Sequence, residues 1–199
     1  EEKINIDGSP DDLAWKNADV ASEFWQWRPT DSVKAVKQTE FKALFDSENL
    51  YFLIKAYTKE KKFTVYNLKR DFETASADYV QLIFDTLNDA SNAFKFQTNH
   101  LGLKGDMLLS TIMSFGGRGM NSSWDAIWDV ESKLYEDSYI TEIKIPFNQL
   151  YFINGSKSWR FNIYRSDTQS LEHSSWAKTP QEQRTVSYTH LTLPTMRLV

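Results

Sequence analysis

Residues 78–99 read D-Y-V-Q-L-I-F-D-T-L-N-D-A-S-N-A-F-K-F-Q-T-N. Val80, Leu82 and Phe84 alternate with Tyr79, Gln81 and Ile83, the period of two that marks a half-buried strand. Phe94, Phe96 and Thr98 then alternate with Lys95, Gln97 and Asn99. Between them lie Asp, Asn and Ser, whose side chains bond nearby backbone and favour turns. The spacing predicts two antiparallel strands joined by an acidic turn. Each strand has an apolar face for a core and a polar face for solvent or a ligand.

The same alternation recurs on both sides of this hairpin. Phe41, Ala43 and Phe45 share one side of residues 39–46, and Phe52, Ile54 and Ala56 oppose Leu53 and Lys55, a second hairpin. Trp124, Ala126, Trp128 and Val130 share one face of a further strand. In residues 139–145, Ile143 and Ile145 face inward and Glu142 and Lys144 outward; Pro146 ends the strand before one helical turn. Trp159, Phe161 and Ile163 oppose Arg160, Asn162 and Tyr164. Residues 106–115 suggest a strand, followed by a flexible G-G-R-G loop at 116–119. Near the amino end, Ile4 and Ile6 suggest a short strand and Asp7-Gly8 a turn. Ser9 then caps a short helix with Pro10 at its first position. Strands at this spacing, with no long helix, predict an all-β, two-sheet antiparallel β-sandwich of jelly-roll or immunoglobulin-like type, with one or two short helical turns. A chain of 199 residues suits one such core.

Aromatic residues make up 15% of the chain, which suits both strands and faces that hold sugars or proteins. A net charge of −4 without a basic block argues against an electrostatic grip on nucleic acid. The absence of cysteine removes disulfides, thiolate zinc sites and cysteine nucleophiles together. No apolar run approaches the roughly 18 residues of a membrane helix. The chain begins at Glu1, which reads as a processed or excised piece and is compatible with a removed signal peptide. The last stretch differs in character: residues 185–199, T-V-S-Y-T-H-L-T-L-P-T-M-R-L-V, hold no acidic residue. Residues 186–195 look like the translation of a transposon-derived sequencing adaptor. We therefore expect a domain over 1–184 and a non-native, poorly ordered tail over 185–199.

No catalytic constellation emerges. Twenty-seven acidic residues allow almost any carboxylate pair to be nominated for glycoside hydrolysis. His100, His173 and His190 show no metal spacing, residues 116–119 lack the Lys and Ser or Thr of a phosphate loop, and there is no G-x-S-x-G. Candidate binding residues are easier to name. Trp176 sits in the polar context H-S-S-W-A-K, open to stacking on a sugar or to packing. Gln81 and Gln97 point outward by parity. Their amides suit hydroxyl pairs, although two solvated strand residues would look the same. Arg70 can reach the outer face of the hairpin or pair with Asp71 or Asp78. Asp85, Asn88 and Asp89 gather oxygen ligands in the turn, which suits calcium or a solvated acidic turn. Trp15, Trp124, Trp128 and Trp159 sit in core-like patterns; Trp25 and Trp27 share a face and remain open.

The order of short motifs resembles a known family. It runs I-D-G-x-x-D-D-L-A-W (6–15), T-E-F (39–41), L-Y-F-L-I-K-A (50–56), R-D (70–71), D-Y-V-Q-L-I-F-D-T (78–86), F-K-F-Q-T-N (94–99) and W-D-A-I-W (124–128). E-I-K-I-P-F (142–147), W-R-F-N (159–162) and Trp176 follow. Together they resemble the family 9 carbohydrate-binding modules, and more closely the module at the N-terminus of large envelope proteins of Gram-negative bacteria. The resemblance implies a β-sandwich that binds polysaccharide ends, carries structural calcium, needs no other cofactor, does no chemistry itself and is often appended to a glycoside hydrolase. It implies a periplasmic, outer-membrane-associated or secreted home, with a further domain as partner. It also implies a sugar clamp of two tryptophans: Trp176 matches the second, whereas Ala75 stands at the first. The family's polar contacts fall at Gln81 and Gln97. Two other readings stay open: a structural or protein-interaction sandwich without a sugar site, and part of a glycosidase.

Overall fold

The computed structural model describes residues 3–31, 33–72, 74, 77–110, 119–156 and 158–179, together with the backbone of 189–192 and 197–198. One short helix, α1 (Leu13–Asn17), precedes β1 (Trp25–Arg28), β2 (Thr39–Phe45), β3 (Asn49–Tyr57), β4 (Tyr79–Asp85), β5 (Asn92–Thr98), β6 (Gly105–Ser110) and β7 (Gly119–Asn121). β8 (Asp129–Leu134), β9 (Ser138–Pro146), a 3-10 turn (Phe147–Gln149), β10 (Ser158–Asp167) and β11 (Glu172–Ser175) follow. The short pairings β12 (Thr189–Thr192) and β13 (Arg197–Leu198) fall within the stretch set apart as a tail.

The strands form two sheets. The larger runs β1-β11-β10-β4-β5-β6-β7, with β12 also on β10; the smaller runs β13-β2-β3-β9-β8. Every pair is antiparallel except β13 on β2. The predicted hairpin of residues 78–99 is therefore β4–β5, and β4 lies in the middle of the larger sheet. Its apolar parity decides the packing. Val80, Leu82 and Phe84 meet Phe96, Phe161 and Ile163 from their own sheet and Phe41, Phe52, Ile54 and Ile143 from the other, in one buried core. Phe84 stacks on Phe161 with ring centroids 5.7 Å apart. Trp128 and Trp159 are buried in this core and Trp124 packs against it, as their patterns predict.

A charged tie also crosses the sandwich. Arg165 of β10, 3% exposed, donates from Nη1 to Thr39 Oγ1 at 3.1 Å and to the Gln38 and Lys37 carbonyls at 3.0 and 3.3 Å. Its Nη2 donates to the Tyr57 carbonyl.

The outer face of the smaller sheet is closed by the N-terminal segment. Leu44, Tyr51, Leu53 and Ile140 form a second apolar cluster with Ala14, Trp15 and Ala18, and Ile4 and Ile6 pack against it without joining a strand. Glu142 points outward as expected, yet it is fully buried under this strap. It accepts bonds from Trp15 Nε1 at 2.6 Å and from the Asp7 and Gly8 amides at 2.8 Å each. Gly8 is required there: φ is +75°, and a Cβ would lie 3.0 Å from Lys133. The helix begins later than the sequence suggests. Asp12, not Ser9, is the N-cap of α1, because Ser9 is drawn into the preceding turn, its amide bonded to Asp7 and its hydroxyl to Asp11. Likewise Trp124 to Trp128 lead into β8 as extended chain outside the ladder, since pairing with β9 starts at Asp129. The strand expected over 106–115 is seen as β6 to Ser110; its remainder and most of the G-G-R-G loop lie outside the described residues.

Candidate functional site

With the outer face of the smaller sheet covered, the outer face of the larger sheet is a candidate surface for recognition. Register builds it. Trp25 of β1 pairs with Ser175 of β11, Ser175 with Tyr164 of β10, Tyr164 with Gln81 of β4, Gln81 with Gln97 of β5, and Gln97 with Gly105 of β6. Strand parity sends this whole row to one face. A second row holds His173, Ser166 and Tyr79, and a third Asn162, Ile83, Lys95 and Met107. Trp27 completes the patch. Its ring lies 5.0 Å from His173 and 6.4 Å from Tyr164, and the Arg28 guanidinium sits 5.1 Å from its centroid.

The face is more enclosed than a solvated strand surface. All seven residues of β4 are buried. Residues 177–179 cross it: Ala177 N donates to Asn162 Oδ1 at 2.9 Å, and Thr179 Oγ1 lies 3.4 Å from the Tyr164 hydroxyl. Gln81 Nε2 donates to Gln97 Oε1 at 3.3 Å, and Gln97 Nε2 to the Phe72 carbonyl at 3.0 Å. The two glutamines thus meet, as parity predicts, but each amide already has a protein partner. Gly105 makes room for this, since a Cβ there would fall 2.6 Å from Gln97 Nε2. Two ring nitrogens on the face, Trp27 Nε1 and His173 Nδ1, are buried without a hydrogen-bond partner among the described residues. Burial, aided by Arg28, lowers the His173 pKa and keeps the imidazole neutral near pH 7. Burial also raises Tyr79 to about 12, against the opposing effect of Arg28. Lys95 is 8% exposed and burial lowers it to about 8, with Asp71 pulling the other way.

The other candidates take different places. The Trp176 ring turns inward, because Ser175 before it faces out. It stands 5.0 Å from Phe41 and 5.5 Å from Phe161, half-buried between the sheets. Ala75 lies outside the described residues. Arg70 turns away from the outer face and pairs with acids other than the two expected from sequence. Its Nη2 reaches Asp106 Oδ2 at 2.5 Å and its Nε reaches Asp125 Oδ1 at 3.0 Å. Asp106 is fully buried and also holds Trp128 Nε1 and the Ala126 amide, so this is a structural node.

Asp85 and Asp89 are occupied by their own turn. Asp85 accepts from the Asp89 and Ala90 amides, and Arg160 lies 3.9 Å away. Asp89 accepts from the Ser91 and Asn92 amides and the Asn92 side chain. A carboxylate so engaged, with a guanidinium beside it, fits a turn-holding role better than a calcium ligand set, which needs six to eight oxygens. Among the described residues no group of three or more His, Asp or Glu is placed to hold a metal ion. A separate open groove of about 710 Å³ between the N-terminal segment and the β8 edge carries Arg70, Lys104, Lys144, Asp129 and Glu131 but no aromatic ring.

Sequence reasoning undervalued Tyr164, Trp27, His173 and Lys95. The parity of β10 already placed Tyr164 outward with Arg160 and Asn162. Nothing local told that Trp27 and His173 would meet, because β1 and β11 pair across a bulge between Gln26 and Arg28.

The fold is thus a two-sheet sandwich with one outer face sealed by the N-terminal strap and an aromatic, amide-lined outer face on the other sheet. The sequence matches the family described as carbohydrate family 9 binding domain-like over residues 6–190, and the chain belongs to that family. Solved structures share the fold. A Bacteroides uniformis protein provisionally named carbohydrate-binding superposes with TM-score 0.68 at 13% identity, over 90% of this chain and 88% of its own. A family 9 carbohydrate-binding module from Caldicellulosiruptor kristjanssonii in complex with glucose gives 0.57 at 16% identity, over 96% and 91%. One from the same organism with cellotriose gives 0.55 at 18% identity, over 87% and 78%. No curated protein matches the sequence. No helix among the described residues is long and apolar enough to cross a membrane.

Proposed function

We propose that this domain is a non-catalytic module that binds a polysaccharide or oligosaccharide on the outer face of its larger sheet. The observation that carries the reading is the row from Trp25 through Tyr164 to Gln81 and Gln97, flanked by the unpartnered nitrogens of Trp27 and His173. Flat rings suit the apolar faces of sugars, and fixed polar groups suit their hydroxyls. The related modules bound to glucose and cellotriose support this reading. In this account the module tethers a larger secreted, periplasmic or outer-membrane-associated protein to its polysaccharide, in the service of carbohydrate catabolism. Any O-glycosyl hydrolysis belongs to a further domain. We keep residues 185–199 outside the module; coding DNA unlike an adaptor would remove that boundary.

Titration calorimetry of the chain against a glycan panel tests the reading, with calcium present and with chelator. Saturable binding to at least one glycan, weakened about tenfold or more by Trp25→Ala, is expected. A second reading, a sandwich that has lost its sugar site, is favoured by the mutual bonding of Gln81 and Gln97. No binding to any glycan, in a folded protein, would decide for it.

A further inference from the structure

Across the outer face, charge and burial disagree with the protein as a whole. The chain carries a net charge of −4, yet cations dominate this face. Lys95 projects from β5 between Ile83 and Met107 and is 8% exposed. It has no hydrogen bond or ion pair among the described residues. Lys34 and Lys178 hold their ammonium groups 3.8 and 5.2 Å from the Trp25 ring centroid, and Arg28 covers Trp27. The acids facing these groups are few. Glu23 pairs with exposed Lys34, Asp85 faces Arg160, and Asp71 lies near enough to Lys95 to act on its charge but bonds the Asp106 amide. Lys95, Arg28 and Lys178 therefore form no ion pair among the described residues.

An ammonium on so buried a side chain, with no ion pair among the described residues, is costly unless something compensates it. Sugar hydroxyls satisfy its hydrogens but leave the charge unbalanced; a carboxylate does both. We propose that the ligand is an acidic polysaccharide whose uronate carboxylate docks on Lys95, with its sugar rings carried by the tryptophan and tyrosine side chains of the same face. This rests on the carbohydrate reading above and gives it a substrate class. Arg28 and Lys178 at the rim would draw a polyanion in and make its capture salt-dependent.

The test is titration of the full chain with oligogalacturonate, oligoglucuronate and oligomannuronate, the methyl ester of the first, and cellotriose. At least one acidic oligosaccharide should bind about tenfold or more tighter than the neutral pair. Raising the salt should weaken that binding, and Lys95→Gln should remove the preference. Lys178→Ala, at an exposed site where folding is not at stake, should reduce the salt dependence. Equal or tighter binding of the neutral sugars overturns the acidic ligand and leaves carbohydrate binding standing. A folded protein that binds none of the panel overturns both.

Discussion

Replacing Arg165 with alanine is expected to lower the unfolding free energy by about 4 kcal/mol, the cost of breaking a buried charge cluster. The guanidinium leaves β10 on the core side and bonds groups at the end of the smaller sheet. Without it, the Lys37, Gln38 and Tyr57 carbonyls and the Thr39 hydroxyl lose a donor. Asp167, 6% exposed, retains only Lys37, at 2.9 Å, as its cation among the described residues. Burial pushes the Asp167 carboxyl up, but Lys37 and Arg165 outweigh it and hold the group below its usual value. That contribution is present above about pH 4 and is lost as pH falls through the lower folded value. For a domain of this size the substitution should drop Tm by roughly 10 °C, read by thermal and urea unfolding at pH 7. A loss under about 1 kcal/mol, typical of an exposed pair, would show that Arg165 does not tie the sheets.

Lys95→Met should do the reverse and stabilise the fold. The lysine is lowered from 10.5 to about 8, chiefly by burial. At about 1.4 kcal/mol per pH unit, that is a penalty of roughly 3 kcal/mol for carrying the charge in the folded state. Below pH 8 the ammonium is charged both folded and unfolded, so the penalty is fully present. Between pH 8 and 10.5 the unfolded chain binds the extra proton, so wild-type stability rises with pH. The charged group acting on Lys95 is Asp71, while Gln81, Gln97, Ile83 and Met107 around it do not titrate. The variant, isosteric and uncharged, should exceed wild type by about 2 kcal/mol at pH 7, and the gap should close toward pH 10.5. Urea unfolding of both proteins across that range measures it. A variant less stable at pH 7, or a gap independent of pH, would mean that the ammonium is already compensated within the protein. A site kept at a cost to stability is what a ligand-binding role predicts.

The hairpin of residues 78–99 could be read in full because one face must be apolar, and a slip of one residue would turn Leu82 and Phe84 out of the core. The same rule places Gln81 and Gln97 together from sequence alone. It could not tell that the outward face would itself be enclosed. That depends on residues 177–179 folding back over Asn162 and Tyr164, a contact between segments about 15 residues apart with no periodic signal. Trp176 shows the same limit. A polar neighbourhood in sequence suggested exposure, whereas the alternation running through Ser174 and Ser175 turns its ring to the core. The partner of Arg70, read as the outer face, Asp71 or Asp78, and the burial of Glu142 were not legible because Asp106 and Trp15 are distant in sequence.

A glycan should meet the outer face of the larger sheet. An NMR titration of isotope-labelled protein with cellotriose and with oligogalacturonate observes that directly through the tryptophan indole and glutamine amide signals. The expected result is perturbation of Trp25, Trp27, Gln81 and Gln97, with the Trp15 indole under the N-terminal strap unmoved. Perturbation at Trp15 with Trp25 and Trp27 silent, or no perturbation by either sugar, would contradict it.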